Sequence, residues 1–240
     1  MQENQMNTYR IADLLVGMDT FGRTLQQAEA YRTADAKPEL VVLSDAKALQ
    51  EKHPHLSLDD CEYMSTCSCF YQRLAFFNGM MLHSSCVVVD GKAYLFSAPS
   101  GTGKSTHVQL WLKLFGDRAY VLNDDKPALR VVGDKIYVYG TPWSGKYDCS
   151  VNARAELGGI AFLKRAEENS IRPMGAVDAY YGLMDQTIRQ CPPSAQLRFM
   201  DTVEKIASCN QIFELCCNMD PSAARLSYET MSGKRFTNED

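Results

Sequence analysis

The stretch Ala98-Pro99-Ser100-Gly101-Thr102-Gly103-Lys104-Ser105-Thr106 has the residue types and spacing that hold a phosphate chain. Small, flexible residues let main-chain N–H groups turn inward as a nest for phosphate oxygens. A helix opening behind them adds a positive dipole end and unbonded N–H donors. Within Ser100, Gly101, Thr102, Gly103, Lys104, Ser105 and Thr106, the ammonium of Lys104 can reach β- and γ-phosphates, and the Ser105 hydroxyl can ligate Mg²⁺. The strict pattern G-x-x-x-x-G-K-[ST] has glycine where this chain has Ala98. The extra methyl falls at the strand exit and leaves the loop from Gly101 onward intact.

A second group follows. The chain between Lys104 and Asn123-Asp124-Asp125 is long enough for a helix, a turn and the apolar strand Ala119-Tyr120-Val121-Leu122. That strand is expected beside the strand of the loop, delivering two carboxylates to the same sheet edge. One can complete a Mg²⁺ shell with Ser105, and the other can accept a proton from an attacking hydroxyl. An Asp-Asp pair in isolation reads as a solvated turn; its place one short helix behind the loop favours chemistry.

The elements that must position these groups are legible in part. Lys92–Ser97 reads as the strand before the loop. Val108, Trp111, Leu112 and Phe115 make one apolar face of the helix after it, closed by Gly116. Cys86–Val89 and Lys92–Ser97 flank Asp90-Gly91, a hairpin turn; Ala128–Val132 and Lys135–Tyr139 flank Gly133-Asp134 likewise. Leu157–Leu163 predicts a strand that continues, after a charged loop, at Ile171–Met174. Upstream, the pattern predicts a strand at Tyr9–Val16, a helix near Thr24–Tyr31, a strand at Leu40–Leu43 and turns over Glu51–Asp60. Phe70, Leu74, Phe77 and Met81 predict a helix over 70–81. Further helices are expected at Asp178–Arg189, at Ser194–Ala207, and from Asp220 as N-cap with Pro221 at the first position to Gly233. Hairpins interleaved with helices predict an α/β fold with a mixed β-sheet and flanking helices.

Composition narrows the partners. The 240 residues are 45% hydrophobic and 22% charged, with 25 Lys and Arg against 29 Asp and Glu. This is a globular chain with no basic excess for a nucleic-acid backbone, so no nucleic-acid partner is expected. The start MQENQMNTYR has no basic region followed by an apolar run, and no apolar stretch is long enough to span a bilayer, so the expectation is a cytoplasmic chain with no membrane partner. Nine cysteines lack the paired C-x-x-C spacing of a zinc site and read as reduced thiols. His53-Pro54-His55 reads as a surface loop rather than a metal site.

The order His83, hairpin, glycine loop, short helix, Asp-Asp resembles the catalytic domain of HPr kinase/phosphorylase and its stand-alone relatives, which share a fold with phosphoenolpyruvate carboxykinase. The resemblance runs over roughly Leu82–Met174. It implies a P-loop core of that type, the kinase-like catalytic domain over 81–240; residues 1–80, which the residue pattern makes an N-terminal α+β segment packing on the core, look unlike the family's usual amino-terminal domain. It implies an enzyme that uses ATP and Mg²⁺ to phosphorylate a serine-type hydroxyl of a peptide, protein or small molecule. Asp124 matches the catalytic base, Asp125 the metal-side carboxylate beside Ser105, and His83 a histidine ahead of the same hairpin. Thr106 stands where the bifunctional HPr enzymes have an acidic residue, and Ala155–Ile160 matches their second signature only loosely. The likeness is therefore to the small stand-alone kinases, some of which act on peptides or free serine. The family also allows a homo-oligomer. Trp143, Ser144 and Lys146, in a loop after the second hairpin, can line an acceptor pocket or, for Trp143, cap the core. Two other readings are a nucleotide-binding switch or scaffold without phosphotransfer, and a carboxykinase acting on oxaloacetate. For the latter the chain is short and offers no evident second metal site.

Overall fold

The computed structural model describes residues 6–34 and 37–237; the first five residues of the amino-terminal stretch read above lie outside the described residues. The expected strand Tyr9–Val16 is a hairpin, β1 (Asn7–Ile11) and β2 (Leu14–Met18), paired antiparallel. Ala12 and Asp13 both take left-handed backbone, φ 52° and 61°, the geometry of a primed two-residue turn. Neither is glycine, so composition gave no turn signal. β3 (Leu40–Val42) lies parallel to β2 and completes a three-stranded sheet.

Three helices accompany this sheet: α1 (Gly22–Ala28), α2 (Ala46–Lys52) and α3 (Leu58–Leu74). The helix expected over 70–81 is thus displaced. Ser57 starts it, accepting a hydrogen bond from the Asp60 amide at 3.0 Å, and Asp59 and Asp60 suit the positive end of its dipole. After α3 a single 3₁₀ turn leads to Asn78, whose φ of 53° diverts the chain into β4 (Gly79–Met81). Met81 therefore continues the 3.6-residue spacing by coincidence. The polar stretch 51–60 is the junction of α2 and α3.

The large sheet holds β4, β5 (Ser84–Val89), β6 (Lys92–Ser97), β7 (Ala119–Asp125), β8 (Ala128–Val132), β9 (Lys135–Tyr139) and β10 (Arg154–Arg165), with β11 (Ser170–Pro173) and β12 (Ile212–Cys217). Its spatial order is β4-β8-β9-β10-β6-β5-β7, with β12 parallel to the second half of β10 and β11 antiparallel outside it. Strand β11 pairs with β12 and does not extend β10. The run Ile212–Cys217 is a further strand, with Phe213, Leu215 and Cys217 buried on the α7 face. The sheet is mixed, as expected: β6 is parallel to β10 and antiparallel to β5. Both hairpins form at the dipeptides that predicted them.

Helices cover both faces. On one, α4 (Lys104–Phe115) and α7 (Ser222–Ser232) bury Trp111, Phe115 and Tyr228 against Tyr94 and Phe96. On the other, α5 (Ala176–Asp185) and α6 (Gln196–Ala207) bury Leu183, Phe199 and Val203 against Leu95, Val138 and Ile160. The last helix begins one residue later than expected: Asp220 Oδ1 accepts from the Ser222 amide at 2.9 Å, and Gly233 at φ 69° ends it. A third cluster joins Tyr9, Val16 and Phe70 of the N-terminal segment to Ala128, Tyr139 and Trp143, so the small sheet and α3 share a core with the large one. Among the described residues no helix is long and apolar enough to cross a membrane.

Between α1 and α3 the Glu62 side chain is buried and accepts a hydrogen bond from Thr24 Oγ1. Burial pushes its pKa from 4.5 to about 7, despite that bond. Between these values the folded chain holds a proton that the unfolded chain has lost, so stability falls as pH rises through this window. Glu62→Gln should flatten the dependence and raise stability at pH 8 by up to about 3 kcal/mol, measured by urea unfolding at pH 5, 6.5 and 8.

Candidate functional site

The glycine loop leaves β6 at Ser97 and enters α4 at Lys104. Gly101 (φ 78°) and Gly103 (φ 124°) lie in backbone conformations that side-chain-bearing residues rarely adopt, although a Cβ at either would meet nothing within 4 Å. Here conformation, not space, demands glycine. No side chain caps α4, so the amides of Lys104, Ser105 and Thr106 have no acceptor within their helix, an arrangement suited to an anion. Thr102 closes the loop on itself, its Oγ1 donating to Pro99 O at 2.9 Å. From outside, the Arg165 guanidinium at the end of β10 donates to the carbonyls of Gly101 and Thr102, the latter at 3.0 Å. A carbonyl drawn outward turns the amide of the same peptide unit inward, so Arg165 helps aim the Gly103 N–H.

Lys104 is buried, and its Nζ donates to Ala98 O at 2.9 Å. The residue that departs from the strict motif thus serves through its carbonyl, to which its methyl is irrelevant. Burial lowers the Lys104 pKa, against the pull of Asp125 and Asp124.

The carboxylates arrive on β7, but β7 does not lie beside β6. Strand β5 stands between them, antiparallel to both, so β6 and β7 are parallel and end at the same edge. Ser85 pairs with Asp124, yet Val87 pairs with Val121: a β-bulge puts one extra residue into β7. Directly opposed residues share a face, and Val87 and Val121 pack on the α4 face. The bulge therefore brings Asp124, three residues after Val121, to that same face. Its Oδ1 accepts from Ser105 Oγ at 2.9 Å and from Ser85 Oγ. The resemblance put Asp125 beside Ser105; simple alternation from Val121 would have done so too, and the bulge reverses it.

Asp125 turns the other way. His83 Nε2 lies 3.4 Å from its Oδ1, and Lys126 Nζ pairs with Oδ2. Burial raises the Asp125 pKa, but His83 and Lys126 together outweigh it and hold the carboxyl below its ordinary value. His83 is fixed in turn, Nδ1 lying 3.2 Å from Gln186 Oε1 and its carbonyl accepting from Ser97 Oγ at 2.8 Å.

These groups border one cleft of about 310 Å³ that takes in His83, Ser85, Ser100, the loop glycines, Lys104, Ser105, Thr106 and both acids. Sequence reading missed Ser85, Lys126, Gln186 and Arg165. Ser85 and Lys126 flank motifs already singled out, but their convergence needs the strand register. Gln186 and Arg165 belong to distant elements and carry no local signal.

The loop after β9 has a different role from the one expected of all its members. Trp143 is fully buried, stacked on Phe70 at 4.9 Å between ring centroids, its Nε1 donating to Thr66 Oγ1 at 3.2 Å. Ser144 is buried and donates to Asp148 Oδ1 at 3.2 Å. Neither borders the cleft: an indole with a stacking partner and a polar acceptor gains more inside the core. Lys146 is exposed and does not border the cleft either. Gly145 passes directly over the acids. At φ 80°, a Cβ there would stand 3.3 Å from Asp124 O and 3.4 Å from Asp125 Cβ. The N-terminal segment holds it in place, Tyr63 Oη accepting from the Gly145 amide at 2.9 Å and Gln27 Nε2 donating to its carbonyl at 3.1 Å. Arg154 pairs with Asp13 and Arg189 with Asp185, both away from the cleft.

Residues 54–226, well over half of the chain and all of this site, match the family described as SynChlorMet cassette protein ScmC. The chain belongs to the ScmC family. None of the curated proteins compared matches it. Among solved structures, a chain described as the Hpr(Ser) kinase/phosphatase from Coxiella burnetii is similar at 12% identity, over 52% of this ScmC-family chain and 95% of that one, with a TM-score of 0.31. An overlap that loose carries no functional argument.

Trp143→Ala should cost about 3–5 kcal/mol of unfolding free energy, whereas Lys146→Ala should change it by less than about 0.5 kcal/mol. Urea denaturation followed by far-ultraviolet circular dichroism separates the two.

Proposed function

We propose that this chain is an ATP-dependent kinase that moves a γ-phosphoryl group to a serine-type hydroxyl of a peptide, protein or small molecule. The observation that carries the reading is the Ser105–Asp124 hydrogen bond at the mouth of a glycine loop whose lysine is held in the same cleft. Ser85, Ser105 and Asp124 present oxygen donors only, the set that suits Mg²⁺, and these three would hold it. When bound, the cation supplies charge neutralisation on the phosphates.

The remaining chemistry belongs to the chain. Inward amides of the loop and of the first turn of α4 bind the phosphate chain. Lys104 leaves Ala98 O to meet the transferred group, and its partly burdened charge is worth more in that confined cleft than in water. The acceptor hydroxyl approaches from the Asp125 side, where His83 and Lys126 keep the carboxylate ionised and oriented. The acceptor oxygen bonds to the γ-phosphorus, the bond from that phosphorus to the β-bridging oxygen breaks, and the hydroxyl proton passes to Asp125. In a loose phosphoryl-transfer transition state this proton leaves late, so a carboxylate of low basicity suffices. This allotment exchanges the two acids relative to the resemblance: Asp124 on the cation side, Asp125 on the acceptor side.

The test uses γ-labelled ATP and Mg²⁺ with serine, serine peptides or a cell extract as acceptors. Asp125→Asn should keep nucleotide binding within about threefold and lose transfer by at least about a hundredfold. Asp124→Asn should instead weaken Mg²⁺-dependent ATP binding by about tenfold or more. Lys104→Ala should lose transfer by at least about a hundredfold with its melting temperature unchanged. Tight MgATP binding with no product on any acceptor would favour a nucleotide-binding switch; equal transfer by the parent and Asp125→Asn would refute the role given to Asp125.

A further inference from the structure

The loop has a second side. Beyond Arg165, away from the acids, a cleft of about 440 Å³ runs between the first turns of α4, the end of β10 and the β12–α7 connection. It shares Gly101, Gly103 and Thr106 with the phosphate cleft, so the two meet across the start of α4. Their chemistry differs. One is oxygen-rich and holds both carboxylates; the other is walled by Leu110, Leu163, Ala166 and Met219 and contains no carboxylate. A phosphate chain lying along the loop with one end at Asp124 and Asp125 would have its other end on the side of this apolar space.

The size lies within the roughly 300–1,000 Å³ of small-molecule sites, and the mostly apolar lining is typical of them. Met219 stands at the rim 76% exposed, a large apolar side chain that a flat ring would cover. The floor is His107, tied through Nε2 to Ser227 Oγ at 3.0 Å; burial holds its pKa down at about 4, so it is uncharged near neutral pH.

Most polar groups of the walls are already engaged, and His107 Nδ1, which has no partner, is itself buried and closed off from the cleft. The Ala166 amide donates to Cys217 O at 3.1 Å and the Asn218 amide to Asn169 Oδ1 at 2.9 Å. Asn218 Nδ2 donates to Glu167 O at 2.7 Å, and Lys164 pairs with Glu214. Reading the edge of a base requires free donors and acceptors set against it. These walls offer an apolar slot in their place.

Resting on the kinase reading above, we infer that this cleft takes the base and ribose of the nucleotide, and that it grips the ring by apolar contact without reading its edge. The chain then uses ATP and GTP with little distinction, because every base has an apolar face to offer.

Isothermal titration of the full chain with MgATP, MgGTP and magnesium tripolyphosphate tests this. The two nucleotides should bind within about fivefold of one another, and each at least about tenfold tighter than tripolyphosphate, which has no ring to bury. Met219→Ala, at an exposed position that the fold does not need, should weaken both nucleotides by about threefold or more and leave tripolyphosphate alone. Ala166→Phe, checked for folding by its thermal melt, should fill the slot and bring all three ligands to similar affinity. Tripolyphosphate binding as tightly as ATP, or a Met219→Ala effect equal on all three, would overturn the base site while leaving the phosphate site standing. A preference for one base above about a hundredfold would overturn the tolerance, since that ratio needs edge contacts. If none of the three binds, the kinase reading fails and this inference with it.

Discussion

Because β5 runs antiparallel to both β6 and β7, its register decides where each neighbour ends. Ser84 lies opposite Ser97 on one side and Asp125 on the other, so the glycine loop and the two acids leave the sheet at one level. A slip of one residue on either ladder would turn every side chain at that edge to the opposite face. The hydrogen bonds from Ser85 and Ser105 to Asp124 are both consequences of this pairing, and the bulge in β7 chooses which acid receives them.

The N-terminal segment acts on the site without entering the cleft. Its helices α1 and α3 hold Gly145 through Gln27 and Tyr63, and α3 anchors the preceding Trp143 through Phe70 and Thr66. The turn that covers Asp124 and Asp125 is therefore only as rigid as the core shared by the two sheets. Arg165 works from the opposite direction, drawing loop carbonyls outward from the end of β10. Between them, one apolar core and one exposed guanidinium set the backbone that the chemistry needs, and the loop itself contributes glycines able to adopt it.

Legibility followed the range of the interaction. Both hairpins announce themselves through Asp90-Gly91 and Gly133-Asp134, since a tight turn is a local conformational demand. Helix α4 is readable from its apolar face and from the loop that opens it. The first hairpin is not, because Ala12 and Asp13 adopt left-handed backbone without glycine. The start of α3 was obscured by a polar, cysteine-rich sequence in which the Ser57 and Asp60 cap is the one clear signal. β12 is short, and its alternation of Phe213, Leu215 and Cys217 about Glu214 is blurred by apolar neighbours at Ile212 and Cys216.

From its residues alone the chain determined the glycine loop, the helix behind it, the pair of acids after a further strand and a mixed sheet to carry them. The loop, the helix and the tight turns of the sheet rest on patterns within a few residues along the chain. Which acid meets Ser105, that Trp143 belongs to the core, and that Arg165 and Gln186 stand at the site were decided only by the folded arrangement. A bulge adds a residue without altering composition or period, and partners about sixty to a hundred positions away in sequence are brought together by tertiary packing, which no local pattern encodes.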